Sequence, residues 1–236
     1  MFTVALIGPD GAGKTTLAKH IESSFPVPVK YLYMGDNIES SNYVLPTTRW
    51  LKKRQRRSAK SPSVKMTIQV GTNGSATARS RGNLVGKTLK LLKKGMGFAN
   101  RLLDEKYRQL VASYYLRRGF LVLFDRHFVY DYYHFDIHPE NGARPLKRKL
   151  HGFFLKHSFK EPDLVICLDA PGEVVFKRKG ELSAEFLEKR RSQYLDLKNV
   201  IKNFAVVNVN RDLEIVKQEV SSIIWQFHER RREGHG

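Results

Sequence analysis

The chain has a single cysteine among 236 residues, so no disulfide within it can brace the fold and stability has to come from a buried core. No apolar run approaches the roughly 20 residues that a membrane-spanning helix needs. The N-terminus also lacks the order of basic, apolar and small residues that marks a secretion signal. Together these absences point to a cytoplasmic protein without a membrane span. Acidic residues are scarce as well: 23 Asp and Glu stand against 42 Lys and Arg, a formal net charge of +19. Such an excess favours anionic partners, among them nucleotides, nucleic acids, phosphorylated glycans and lipid headgroups. Zinc-ligand spacing, an RNA-binding aromatic signature and internal repeats are all missing, which ranks a nucleic-acid-binding module below a small-molecule site.

What remains is ample for one folded domain. Hydrophobic residues make up 41% of the chain, too many for wholesale disorder. Five short runs rich in β-branched and aromatic residues read as strands, at 3–7, 29–33, 120–124, 164–168 and 205–209. Cys167 sits in the fourth as a buried strand residue. Helical patterns separate most of the runs. Strands joined through helices give a parallel sheet with right-handed crossovers, hence a three-layer α/β/α sandwich on a five-stranded parallel sheet. The domain is expected to span 1–228, with a polar tail at 229–236. A basic insertion at about 52–83, opening KKRQRRSAKSPSVK, reads first as an exposed, flexible loop and second as a nucleic-acid contact. From 84 to 118 helical periodicity returns. Leu91, Leu102, Leu103, Leu110 and Val111 are the expected core contacts there, with a break near Gly95 to Gly97.

Ligands of such sheets bind beyond the carboxyl ends of the strands, so the residues just after each strand carry the chemistry. After the first strand comes GPDGAGKT, in which Gly8, Gly13, Lys14 and Thr15 satisfy the spacing GxxxxGK[ST] between a strand and a helix. The loop from Gly8 through Asp10, Gly11, Ala12 and Gly13 to Thr15 and Thr16 is the expected ATP-binding element. Its glycines let backbone N–H groups wrap phosphates, and the helix start adds partial positive charge. Lys14 reaches the β- and γ-phosphates, the Thr15 hydroxyl ligates Mg²⁺, and Thr16 supports the helix. A second match, VGKT at 85–88, follows no strand and lies in a helical pattern, which leaves Lys87 a surface residue.

The third strand delivers Asp125, Arg126 and His127 to the same edge. Asp125 suits Mg²⁺ or the orientation of an attacking oxygen, and Arg126 suits a phosphate clamp. A capping Asp with a neighbouring Arg partner fits the same residues, and His127 reads as structural. Tyr130, Tyr132 and Tyr133 then offer flat faces for a base or sugar ring, or for helix packing. Arg144 and Asp36 are further residues facing a possible acceptor.

These segments, GPDGAGKTT, FDRH and PDLVICLDAPGEVVFKRKGEL, resemble the thymidylate kinase family. The resemblance implies a P-loop α/β kinase that passes the γ-phosphate of ATP to a deoxynucleoside monophosphate, in a protein that forms a homodimer. It makes Asp10 the acidic loop residue near the acceptor sugar, and Asp125 with Arg126 the family's acid–arginine pair. Gly11, where some members carry Arg, implies a catalytic arginine in a lid, among Lys177, Arg178 and Lys179. Arg178 is the expected one, with Arg190 and Arg191 as alternatives. A solvated helix end is the plainer account of the same basic triplet. The chain departs from the family where YMGDNIESS replaces an Arg-Glu-Pro segment, and where FVYDYYHFDIHPENGARP replaces a Ser, Ala, Tyr and Gln-rich one. The acceptor therefore stays open between a nucleoside monophosphate, a sugar, glycan or lipid, and a polynucleotide.

Overall fold

The computed structural model describes residues 1–35, 37, 41–50, 53, 82–139, 144–180 and 182–234, with the side chains of 82–94 left out. Its contacts divide the chain into two compact units, Met1–Tyr43 with Glu105–Gly236, and Val44–Asp104. The smaller unit contains the basic segment at 52–83, which lies almost wholly outside the described residues. Its described part includes helical residues 46–50, with the Leu45 N–H donating to Asp104 Oδ1 at 2.8 Å.

In the larger unit five parallel strands, β1 (Thr3–Ile7), β2 (Val29–Tyr33), β3 (Leu121–Asp125), β4 (Leu164–Asp169) and β5 (Phe204–Asn208), form one sheet in the order β2-β3-β1-β4-β5. The helices that follow are α1 (Lys14–Ser24), α2 (Gly82–Arg117, which carries residues of both units), α3 (Leu146–Ser158), α4 (Gly172–Lys179), α5 (Ala184–Asp196) and α6 (Leu213–Glu233). Central strands bury both faces, and their alternation sorts the core into two clusters. Val4, Leu6, Leu121, Leu123, Ile166 and Leu168 pack toward α1, α4 and α6. Ala5, Ile7, Val122, Phe124, Val165 and Cys167 pack toward α3, Ala112 of α2 and the end of α5. This is the three-layer sandwich that the strand–helix alternation predicts. Burial in the same apolar layer pushes the Cys167 thiol up to about 12, so it stays protonated.

Several boundaries and contacts differ from the sequence reading. The third strand runs one residue further than expected because Asp125 is itself in the ladder, opposite Leu6 on one side and Tyr33 on the other. No break occurs at Gly95 to Gly97: α2 is continuous from Gly82 to Arg117, and an added Cβ at either glycine meets nothing within 4 Å. Leu103 and Leu110 are not core contacts but are 61% and 59% exposed, and Leu91 lies outside the described side chains. The backbone at 86–88 is helical, as the context of VGKT requires. At the C-terminus α6 continues through the expected polar tail to Glu233. Arg231 holds it there by pairing with Asp163 at 2.7 Å, and that carboxylate also accepts from Thr3 N and Oγ1.

Among the described glycines, Gly152 is the one at which an added Cβ would come closest to its neighbours. A Cβ built there would stand 1.8 Å from the Asp136 carbonyl oxygen, so α3 sits against the turn at Tyr133–Ile137 only because this residue has no side chain. Gly152→Ala is therefore expected to lower stability by about 1–3 kcal/mol, the cost of overpacking, read as a reduced denaturant midpoint; an unchanged midpoint would show that the contact yields freely.

Candidate active site

The phosphate-binding candidate loop leaves β1 at Gly8 and re-enters regular structure at Lys14. Three glycines in it have positive φ: Gly8 at 138°, Gly11 at 94° and Gly13 at 87°. A Cβ at Gly8 would meet the Leu168 carbonyl oxygen at 2.5 Å, so the loop passes over the end of β4 where only glycine fits. Gly11 faces Val175 of α4, and Gly13 opens on free space. Ala12 is buried, and its N–H donates to the Pro9 carbonyl across the turn at 3.2 Å. Lys14 is only 5% exposed and donates from Nζ to the carbonyls of Gly8 and Pro9, each at 2.7 Å, which places its charge inside the loop. Burial, and then the neighbouring Arg126, bring its pKa down to about 8.

Beside this loop β3 ends at Asp125. The Thr15 hydroxyl donates to Asp125 Oδ2 at 2.5 Å and the Tyr31 hydroxyl to the same oxygen at 3.2 Å. Asp125 is fully buried and its Oδ1 has no hydrogen-bond partner. A hydroxyl beside a buried carboxylate with an unsatisfied oxygen fits a hard divalent cation such as Mg²⁺. Among the described residues no group of three or more His, Cys, Asp or Glu could hold a metal by itself, so an ion here needs further oxygens, which phosphates supply. Thr16 is exposed on α1.

Arg126 follows with φ at 70°, in the left-handed region that a non-glycine residue adopts only at a cost. Its N–H donates to the Leu6 carbonyl at 3.0 Å, and its guanidinium pairs with Asp10. Gly35 makes room for it, since a Cβ there would meet Arg126 Cδ at 2.5 Å. Burial alone would loosen the proton on Arg126, but Asp131 and then Asp10 outweigh it and raise the pKa. Burial likewise opposes ionisation of Asp10, yet Arg126 and Lys14 hold its carboxyl below the usual range. Asp131 retains some solvent contact, but protein atoms crowd it on most sides. The resulting loss of hydration raises its pKa against the pull of Arg126 and of the Tyr194 hydroxyl, which donates to it at 2.8 Å.

A cleft of about 590 Å³ opens onto this cluster. Asp10, Thr15 and Arg126 line it together with Asp131, Lys179 and Arg190, and its aromatic walls include Tyr33, Tyr132 and Phe135. Arg190 of α5 donates to Tyr194 Oη at 2.8 Å and to the Asp131 carbonyl at 3.2 Å, with its guanidinium 4.9 Å from the Phe135 ring centre. The expected lid residue Arg178 is not among the lining residues: it donates to the Val209 carbonyl at 2.9 Å. Its neighbour Lys179 faces the cleft instead, at the end of α4. Arg191 is held elsewhere by Asp169 at 2.6 Å and Glu188 at 2.6 Å. Tyr130 packs beside His127 in the core, where burial depresses the imidazole to about 3 and keeps it neutral. Arg144 donates to the Ile137 carbonyl at 3.3 Å, and Asp36 lies outside the described residues. Asp131 is a cleft residue the sequence reading missed, as are Tyr33, Phe135 and Tyr194; the signal for Asp131 is one acid inside the aromatic run FVYDYYHF. Arg108 was missed too: it is buried and braces the end of β2 by donating to the Gly35 carbonyl at 2.8 Å.

Sheet order, glycine-loop geometry and the Asp–Arg pair beside it define the fold of a P-loop kinase. No family model matches the chain. It is 30% identical over 121 residues to a thymidylate kinase from Thermosipho melanesiensis, covering 46% of this chain and 57% of that one. It is 28% identical over 126 residues to a thymidylate kinase from Thermosipho africanus, covering 48% and 59%. The aligned region thus spans less than two thirds of these relatives. A solved structure of deoxyadenosine kinase from M. mycoides, with the products dCMP and a flexible dCDP bound, has the same fold, with a TM-score of 0.52 at 15% identity over 95% of this chain and 99% of that one. The sequence similarity is thus to thymidylate kinases over about half of the chain, and the likeness to the deoxyadenosine kinase is one of fold. No helix among the described residues is long and apolar enough to cross a membrane.

The buried ammonium of Lys14 gives a pH signature. The unfolded chain keeps this proton to about 10.5 and the folded one releases it near 8, so folding releases a proton in that window and stability gains as pH rises through it. Lys14→Met should flatten the gain between about pH 8 and 10.5, by an amount on the order of 3 kcal/mol at most, since each pKa unit is worth about 1.4 kcal/mol. Parallel stability profiles for the two proteins would show instead that the ammonium is not buried.

Proposed function

We propose that this protein is an ATP-dependent phosphotransferase that moves the γ-phosphate of ATP to a nucleoside monophosphate, dTMP-like in size. The observation that carries the reading is the convergence of Lys14, Thr15 and Asp125 beside a cleft lined by Arg126, Lys179 and Arg190. In this reading the loop 8–15 cradles the phosphates of ATP with its backbone N–H groups, and the Lys14 ammonium turns from the loop carbonyls to the β- and γ-phosphates. Thr15 and Asp125 hold Mg²⁺, which neutralises charge on the phosphate oxygens. Arg126, kept protonated by Asp10 and Asp131, faces the phosphate of the acceptor. Tyr132, Phe135 and Tyr33 offer flat surfaces for its base and sugar. Lys179 and Arg190 stabilise charge on the transferring phosphate, in the part that the sequence reading gave to Arg178.

A second reading has its own observation. Asp131 puts a carboxylate of raised pKa into the cleft, which suits an acceptor hydroxyl better than an acceptor phosphate. A sugar, glycan or lipid hydroxyl then replaces the nucleotide while the ATP side stays the same.

ADP release from Mg·ATP, followed across nucleoside monophosphates, nucleosides and sugars, tests both. Stimulation by a monophosphate, reduced on the order of 10²-fold or more by Lys14→Ala, is the expected result. Stimulation by hydroxyl acceptors alone would move the conclusion to the second reading, and turnover that survives Lys14→Ala would refute the phosphate loop.

A further inference from the structure

We propose that His151 is a positioning residue for the acceptor: held as an imidazolium between Glu105 and Asp136, it props the aromatic wall of the cleft from behind. This role rests on the acceptor entering that cleft, as proposed above. Three elements supply the three groups, Glu105 from α2, Asp136 from the turn at Tyr133–Ile137 and His151 from α3. Each is at most 5% exposed. Asp136 Oδ2 lies 2.6 Å from His151 Nδ1, and Glu105 Oε2 lies 3.1 Å from Nε2.

The charge of the ring follows from its partners. A neutral imidazole has one N–H, so a carboxylate at each nitrogen would leave one ring lone pair facing a negative oxygen. With a proton on both nitrogens, each contact is a charge-assisted hydrogen bond. Burial by itself disfavours an imidazolium, but removing the proton would leave two buried carboxylates uncompensated, which costs more. Arg148 stands 3.7 Å from the other Asp136 oxygen, and the Tyr132 ring meets the imidazole edge-on at 5.0 Å.

Position gives this buried charge its use. The segment after Arg126 puts Tyr132 and Phe135 on the cleft, and Asp136 is the next residue along. Neighbouring positions of a helical turn point in different directions, so Phe135 faces the cleft while Asp136 faces α3, and whatever holds Asp136 fixes the ring beside it. The turn closes with a π-type bond from the His138 N–H to the Tyr133 carbonyl at 2.7 Å, a geometry that is rare and frequent at functional sites. On its other side, His134 Nε2 donates to the Gln193 carbonyl of α5 at 2.9 Å. Glu105 also links the wall to the phosphate side, because Arg108, one turn further along α2, donates to the carbonyl of Gly35, over which Arg126 passes.

NMR of the ring nitrogens, hydrogen exchange and substrate kinetics test it together. His151 in the ligand-free protein is expected to be doubly protonated at about pH 7.5, where a free histidine with a pKa of about 6.5 has mostly lost its proton. His151→Leu should speed exchange at 132–138 while the strands stay protected, and should raise the acceptor KM on the order of tenfold. Its kcat and KM for Mg·ATP should stay within about twofold, the mark of lost ground-state binding. Should that variant fail to fold by circular dichroism, His151→Asn, which keeps a donor toward Asp136, takes its place. Glu105→Gln offers a donor to a neutral ring, so it should make His151 neutral at the same pH yet keep the parent's acceptor KM within about threefold. A neutral ring in the parent, parent-like exchange and acceptor KM in the His151 variant, or losses shared equally by both substrates would overturn the proposal. A parent protein that turns over no acceptor would refute the proposed function alone, and hydrogen exchange with NMR would then decide the role of His151.

Discussion

Because β1 pairs in parallel with β3, with Leu6 opposite Asp125, two chain segments far apart in sequence leave the sheet side by side at the same edge. The Arg126 N–H extends the pairing by donating to the Leu6 carbonyl. From this register the rest follows: the glycine loop turns over the end of β4, Thr15 meets Asp125, and Arg126 comes within reach of Asp10. A slip in register would separate the hydroxyl from the carboxylate and turn the alternating core residues to the wrong faces. The dry layers on both sides of the sheet hold the register, since Leu6, Ile7, Leu123 and Phe124 are all essentially inaccessible.

The charges gathered at that edge are costly to gather. Burial and then the neighbouring Arg126 disfavour the Lys14 charge, and Asp10 and Asp131 offset this only in part, which is why the lysine pKa falls to about 8 while the arginine keeps its proton. Such an arrangement gains little for folding. It is suited to a ligand that brings its own negative charge, and a polyphosphate is the kind of ligand that would relieve the repulsion. Arg126 adds a backbone in the left-handed region, a cost that aims its side chain across Gly35 toward the cleft.

Much of this was legible in the sequence because it rests on local signals. The first two strands are short runs rich in apolar residues with clear ends, and the glycine loop is defined by spacing alone. The third strand was misjudged by one residue since an aspartate reads as an exit from a strand, whereas here it is the last rung between two neighbours. Leu103 and Leu110 show the limit of periodicity, which finds a stripe on a helix without saying whether anything covers it. The basic triplet of α4 shows another: in a helix of eight residues, one step of about 100° separates Arg178, tied to the Val209 carbonyl, from Lys179 in the cleft. Asp131 was obscured because its role depends on Tyr194 and Arg190, which come from a helix far along the chain.

The account depends most on Thr15 and Asp125 acting as one unit toward Mg·ATP. A double-mutant cycle with Thr15→Val and Asp125→Asn, read by calorimetric affinity for a non-hydrolysable ATP analogue with Mg²⁺ and with EDTA, addresses this directly. The account predicts that each single variant weakens binding only when Mg²⁺ is present, and that the double variant loses no more than the worse single one. Losses that add independently, or that persist unchanged in EDTA, would contradict it.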